Sequence, residues 1–247
     1  MSINAHRYSA TDSPSFAFPA TIYPWAFLWR SLQGRNSAGP IRLHIIRHAE
    51  TTANSRQLIA GQTDVDLSMK GYLQALMLGL RLPRYYDVAW VSSLSRTRKT
   101  LEYAECMRFR RTSLTVWADS RLNERSLGKL EGTPRQVIDA YANGDLVYAP
   151  PGGESYLDLA QRILSFLLDV RRSTSTALSV ISTHVGPMRL LVGMLERFDD
   201  PKRVLSLTFK NAEACECVLN ELVWPKFITR EVLLAHEERI LEPAYKP

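Results

Sequence analysis

Two apolar runs in this chain, IRLHII at 41–46 and ALSVIST at 177–183, each break off at a histidine: His48 by way of Arg47, and His184 directly. Both runs are short, apolar and rich in β-branched residues, which is how a strand reads when both of its faces are covered. A third run, DVAWVSS at 87–93, is separated from the first by SMKGYLQALMLGLRL (68–82), whose apolar spacing is helical and whose Ser68 is placed to cap it. Strand, helix and strand at this distance make a right-handed crossover, and that dictates a parallel sheet. The alternation continues with a helix over Ser95–Cys106, a strand at 114–118, a charged loop at 121–132 and a long amphipathic helix within 152–172. Another helix follows His184, over 186–198, with Pro187 in its first turn. The predicted fold is α/β, a mostly parallel central sheet with helices on both faces, over residues 41–247. The closing stretches CECVLNELVW (215–224) and ITREVLLAHEE (228–238) read as further strand-like segments.

Residues 1–40 form an N-terminal extension of different character. FAFPATIYPWAFLW (16–29) is apolar and aromatic, but its 14 residues are too few to cross a bilayer as a helix, and Pro19 and Pro24 interrupt it. No membrane span is expected. There is no clear basic n-region or cleavage site of a signal peptide, while an acid-poor, serine-containing start leaves a transit peptide open. The aromatics are expected to pack on the domain or on a second copy of the chain, so a homodimer is one of the two readings. Three cysteines, Cys106, Cys215 and Cys217, imply no disulfide framework, and the expected compartment is the reducing cytoplasm. In the alternating CECVLNELV, Cys215 and Cys217 fall on one face of a half-buried strand.

The formal charge of +6 and pI near 9.3 favour an anionic partner, yet the basic clusters, RFRR at 108–111 and VRR at 170–172, are short. Nucleic-acid binding would want basic and aromatic residues interleaved, and that pattern is absent outside the N-terminal segment. Small phosphorylated ligands fit better. In an open parallel sheet ligands bind beyond the carboxyl ends of strands, so both strand-ending histidines should face one crevice. Around it the sequence can deliver Arg47, His48, Asn54, Arg96, Glu124 and His184. The forked guanidinium groups of Arg47 and Arg96 match phosphate oxygens, and their charge disfavours imidazolium, keeping a ring nitrogen free to attack phosphorus. Glu124, on the charged loop, suits a general acid for a departing alcohol. His44, His6 and His236 read as structural. His48-Ala49-Glu50 also fits the H-x-E of zinc deaminases, but the P-C-x-x-C that completes those sites is replaced by Cys215-Glu216-Cys217.

These residues resemble the histidine phosphatase superfamily and its phosphoglycerate mutase branch. The family's RHG appears as Arg47-His48-Ala49, followed by ETTAN; GQTDVDLSMKG (61–71), SSLSRTRKT (92–100), LNERSLGKLEG (122–132), GGES (152–155) and STHVGPMR (182–189) follow in the family's order. The resemblance implies that His48 is the phosphorylated nucleophile, Glu124 the proton donor, and Arg47, Arg96 and His184 the stabilisers of the transferring phosphoryl group. Asn54, Gly61, Gln62 and the backbone at Val185 and Gly186 would complete the phosphate and substrate pocket, and no metal or other cofactor is implied. Ala49 and Val185 stand where the family has glycine. The interval between LEG and GGES is about twenty residues and holds Arg135 with little else basic. Glycolytic mutases carry a longer, arginine-bearing insertion there, which favours a phosphatase acting on a small phosphate monoester over a mutase. A non-catalytic phospho-ligand binding protein of the same fold is the third reading, and the intact residue set argues against it.

Overall fold

In β1 (Ile41–Arg47), Leu43 and Ile45 are buried on one side and Ile46 on the other, the mark of a strand inside a sheet covered on both faces. A computed structural model describes residues 23–33, 39–86, 88–108, 114–135, 143–173 and 178–241. The first 22 residues, Asp87, residues 109–111 of the RFRR cluster and Ala177 lie outside the described residues. Among the described residues five strands form one sheet, in the order β3 (Thr115–Ala118), β2 (Val88–Val91), β4 (Leu178–Thr183), β1, β5 (Ala214–Leu219). All neighbours are parallel except β1 and β5, which run antiparallel.

The helices divide between the two faces. α3 (Met69–Gly79) and α4 (Ser95–Cys106) cover one, packing Ala75, Leu78, Leu101 and Ala104 on Ile46, Ala89, Val91 and Val180. Ser68 caps α3 by accepting the Gly71 amide at 3.0 Å. The other face is covered by α5 (Tyr156–Ser173) and α6 (Val185–Leu195), and Leu157, Ala160, Ile163, Leu164, Leu167 and Leu168 of α5 are all buried, as their spacing predicts. Before α5, Ser155 and Asp158 cap its start reciprocally, Oγ accepting from Asp158 N and the carboxylate from Ser155 N. α2 (Thr52–Ser55) and α7 (Pro201–Ser206) are short connectors.

Two readings of the sequence are corrected. ITREVLLAHEE is α8 (Arg230–Leu241), with Leu233 and His236 buried nearly one turn apart. Its Val-Leu-Leu run reads as a strand, but the residues around it, Glu231, Ala235, Glu237 and Glu238, are helix formers, and the helix brings His236 to Asp158 at 2.8 Å. CECVLNELVW is a strand only as far as Leu219, with a bend at Asn220. Cys215 and Cys217 do share a face, and Cys217 lies in the core. The extension supplies α1 (Tyr23–Leu32), whose buried Trp25 and Leu28 join the core on the α5 side; Trp25 and Trp29 meet Trp224 edge-on, with ring centroids at 5.8 and 5.2 Å. These aromatics therefore pack on the domain. His44 is structural: it pairs with Glu216 of the neighbouring strand at 3.0 Å.

Candidate active site

β1 and β4 are neighbours in register Arg47↔Thr183, so the residues that follow them, His48 and His184, emerge at one level about 4.8 Å apart. Their ring centroids are 5.1 Å apart. The outgoing connections of these two strands run to opposite sides, β1 to β2 and β4 to β5, which makes their carboxyl ends the switch point of the sheet. Arg47 closes β1, Arg96 enters from the first turn of α4, and Glu124 from the loop after β3.

The two histidines are held differently. Nδ1 of His48 lies 2.7 Å from the carbonyl oxygen of Ala49, which can only accept, so Nδ1 carries the proton. Nε2 is left with a lone pair that no donor among the described residues engages. His184 has the opposite tautomer: its Nδ1 accepts from Arg96 Nε at 3.2 Å, and Nε2 donates to Ser92 Oγ at 2.9 Å, which passes a hydrogen bond to Asn123 Oδ1 at 2.8 Å. Both rings are buried, and burial first, then the charge of Arg96, holds each well below the ordinary histidine range. Arg47 adds to the effect on both. The rings are neutral near pH 7.

Arg96 is almost wholly buried and donates to Gly61 O at 2.7 Å and Thr63 O at 2.9 Å as well as to His184. Gly61 adopts φ +52°, and a side chain there would collide with Glu131, whose carboxylate receives the amides of Gln62, Thr63 and Leu127. Arg47 donates Nη1 to Phe209 O at 2.6 Å, while its buried Nε has no acceptor among the described residues. Desolvation lowers its pKa to about 10, against the pull of the Glu124 carboxylate. An unmatched donor on a buried cation beside a neutral imidazole is a place for an anionic oxygen.

Glu124 is not pointed freely into the crevice. Its Oε1 accepts the amides of Arg125 at 2.9 Å and Gly186 at 3.1 Å, the latter at the N-terminus of α6, where the helix dipole favours a carboxylate. The Gly186 amide, expected from sequence to serve a phosphate, is thus taken by Glu124. Asn54 sits on α2 with its Oδ1 accepting from Thr51 N and Asn211 Nδ2, and Gln62 is exposed, donating Nε2 to Glu124 O at 3.0 Å. Val185 is accommodated as the first residue of α6. Glu50 turns to Ser68 and Lys70, 2.8 Å from each, away from the histidines.

Several participants carry no readable signal in the sequence. Arg162 on α5 donates to the carbonyls of Arg121, Asn123 and Glu124 and pairs with Glu154 at 2.7 Å, fixing the loop that bears Glu124. Ser92 and Asn123 orient His184. Asn211 and Ala212 bind the His48 carbonyl, each at 3.2 Å.

Residues 43–224 match the histidine phosphatase superfamily (branch 1). The chain belongs to this superfamily. A 2,3-bisphosphoglycerate-dependent phosphoglycerate mutase of Afipia carboxidovorans is 30% identical over 179 residues, spanning 66% of this chain and 84% of that protein. Among solved histidine phosphatase folds, mycobacterial glucosyl-3-phosphoglycerate phosphatase superposes with a TM-score of 0.63 at 26% identity, over 71% of this chain and 90% of that one. The α-ribazole phosphatase of Shigella flexneri shares the fold, with a TM-score of 0.63 at 22% identity, over 74% of this chain and 96% of the other.

Proposed function

We propose that this protein is a metal-independent phosphatase that hydrolyses a small phosphate monoester through a phosphohistidine at His48. One observation carries the reading: of the two buried neutral histidines, only His48 keeps a ring nitrogen with an unengaged lone pair, because its other nitrogen is tied to the Ala49 carbonyl. That nitrogen, Nε2, attacks phosphorus while the P–O bond to the alcohol breaks and the Glu124 carboxyl gives its proton to the leaving oxygen. In the second step water attacks phosphorus, the P–N bond breaks, and the water proton passes to Glu124, restoring the acid. Arg47, through its unmatched Nε, and Arg96 stabilise the phosphoryl oxygens, with His184 beside them. Asn54, Gly61, Gln62 and the backbone at Val185 line the phosphate and substrate side. Gly186 acts through Glu124.

The similarity to phosphoglycerate mutases supports a second reading, in which the phosphoryl group on His48 passes to a second hydroxyl instead of water. The short interval before GGES, which leaves little to shield a phosphohistidine from water, favours hydrolysis. The test is turnover of p-nitrophenyl phosphate and a panel of small phosphomonoesters in excess chelator, with native protein and His48→Ala. Release of inorganic phosphate that survives chelator and vanishes in the variant supports the proposal. Phosphoryl transfer between phosphoglycerates without phosphate release supports the mutase, and loss of turnover to chelator refutes the metal-independent step.

A further inference from the structure

Helix α3 buries Gly71, Ala75, Leu78 and Gly79 and, with Leu80 just past its end, turns Met69, Leu73, Met77 and Leu80 outward, at 82%, 64%, 59% and 60% exposure. These four recur every three or four residues, so they form one stripe along the helix. A surface helix ordinarily shows its polar face to water, and here both faces are apolar. The stripe broadens towards α4, where the Tyr72 and Tyr103 rings meet at 4.7 Å and the partly exposed Met107 lies beside Gly79. Its area is on the order of 500 Å², near the upper end of what a monomer leaves in water.

The charge within the segment that carries the stripe has one sign. From Leu67 to Tyr86 the sequence holds no aspartate or glutamate. Lys70 is balanced by Glu50 and Lys99 by Asp66, both at 2.8 Å. At the C-terminal end of the helix Arg81 donates only to the neutral Ala212 carbonyl, and the exposed Arg84 lies over the Tyr85 ring at 5.4 Å. Neither belongs to an ion pair among the described residues.

We infer that α3 is a docking face for an anionic membrane surface: the Met and Leu stripe enters the boundary between headgroups and acyl chains, with Arg81 and Arg84 against the lipid phosphates. A second copy of the chain fits the face less well. Any two-fold pairing of α3 with itself sets Arg81 and Arg84 against Lys70 or against the same arginines, and the acids nearest Lys70, Glu50 and Asp66, are already paired with lysines. A bilayer supplies the anions and asks for no shape complementarity, which suits flexible methionines.

The full-length protein would be sedimented with vesicles of phosphatidylcholine alone and of phosphatidylcholine mixed with phosphatidylglycerol. Native protein should pellet with the mixed vesicles and be released as salt rises. Leu73→Gln/Met77→Gln should reduce the bound fraction by about tenfold or more, and Arg81→Gln/Arg84→Gln should remove the preference for anionic vesicles. Thermal unfolding midpoints equal to native establish that both variants are folded, since neither pair is in the core. Three results overturn the inference: native protein that stays in the supernatant with anionic vesicles; a Leu73→Gln/Met77→Gln variant that binds them as well as native does; or a vesicle-free dimer in sedimentation velocity that this variant abolishes, which would make the stripe a self-interface.

Discussion

Replacing Gly186 by alanine should give a folded protein with a disabled acid step. A methyl group there would lie 2.3 Å from Glu124 Oε1 and 3.2 Å from Leu159 Cδ2. Ordinary contact distances force the carboxylate back by about 1 Å, and the 3.1 Å hydrogen bond from the Gly186 amide goes with it. The obstructed atom is the end of a flexible side chain, so the main chain need not move. The lost hydrogen bond costs about 1 kcal/mol, and alanine recovers about as much over glycine in the first turn of a helix, leaving stability nearly unchanged. Activity is another matter, because a misplacement of about 1 Å in a reacting group is worth roughly a hundredfold in rate, or ~2.7 kcal/mol of barrier. Since Glu124 is proposed to protonate the leaving oxygen, the loss should fall on alkyl phosphates and largely spare p-nitrophenyl phosphate, whose leaving group needs little help. The assay is kcat/KM for both substrate types in native and variant protein, with a urea unfolding curve for each. Alkyl phosphate turnover within about threefold of native, or an equal loss on the aryl ester, would refute the assignment of Glu124 as acid and of Gly186 as its support.

Arg162→Met should lower kcat more than it raises KM, because the Arg121, Asn123 and Glu124 carbonyls lose their common donor; Arg162→Lys should fail to restore it, a point charge being unable to span three carbonyls and Glu154. Stability should fall as pH drops below about 6.5. Both active-site histidines have depressed folded-state pKa values, so the unfolded chain binds more protons in that window, and the slope reaches about 2.7 kcal/mol per pH unit for the pair. Urea unfolding free energies that stay level between about pH 7 and pH 5 would contradict this. Asp158, lowered to about 2 with His236 and Ser155 bonded to it, acts at the other end: its contribution is present above about pH 4 and is lost as pH falls through 2. Trp25→Ala should cost about 3 kcal/mol in the same assay, while a loss under about 0.5 would mean that α1 only rests on the surface.

The parallel part of the fold was legible because its signals are local. Ser95–Cys106 begins and ends as a helix where the sequence suggests, and Ser68 caps α3. The C-terminal reading failed because a short apolar run is ambiguous: Val232, Leu233 and Leu234 can be read as a strand, but Leu and the flanking Glu231, Ala235, Glu237 and Glu238 are helix formers, and the helix sets Leu233 in the core and His236 on Asp158. Pro19 and Pro24 interrupt the apolar stretch as a membrane span, yet Pro24 is the second residue of α1, where its missing amide is no loss. Trp25 and Trp29 of that helix meet Trp224, far along the chain, and nothing local in the sequence announces that contact.

At the site, side chains were legible and the backbone was not. Arg47, His48, Arg96, Glu124 and His184 could be nominated because guanidinium, imidazole and carboxyl groups carry the chemistry of phosphoryl transfer in their own structure. What separates the two histidines is less visible: each is neutral and buried, each lies beside the same arginines, and either could be drawn as a nucleophile. The distinction comes from one backbone carbonyl, that of Ala49, which takes the Nδ1 proton of His48, and from the guanidinium of Arg96, which occupies Nδ1 of His184 and so turns its proton towards Ser92. Every residue type has a carbonyl, so no residue identity can encode the first contact; the second depends on α4 starting where it does, with Arg96 in its first turn. The same reasoning accounts for the Gly186 amide. Sequence shows a glycine two residues after a histidine at a helix start, a suitable anion site, and only the fold reveals that the anion occupying it is the protein's own Glu124.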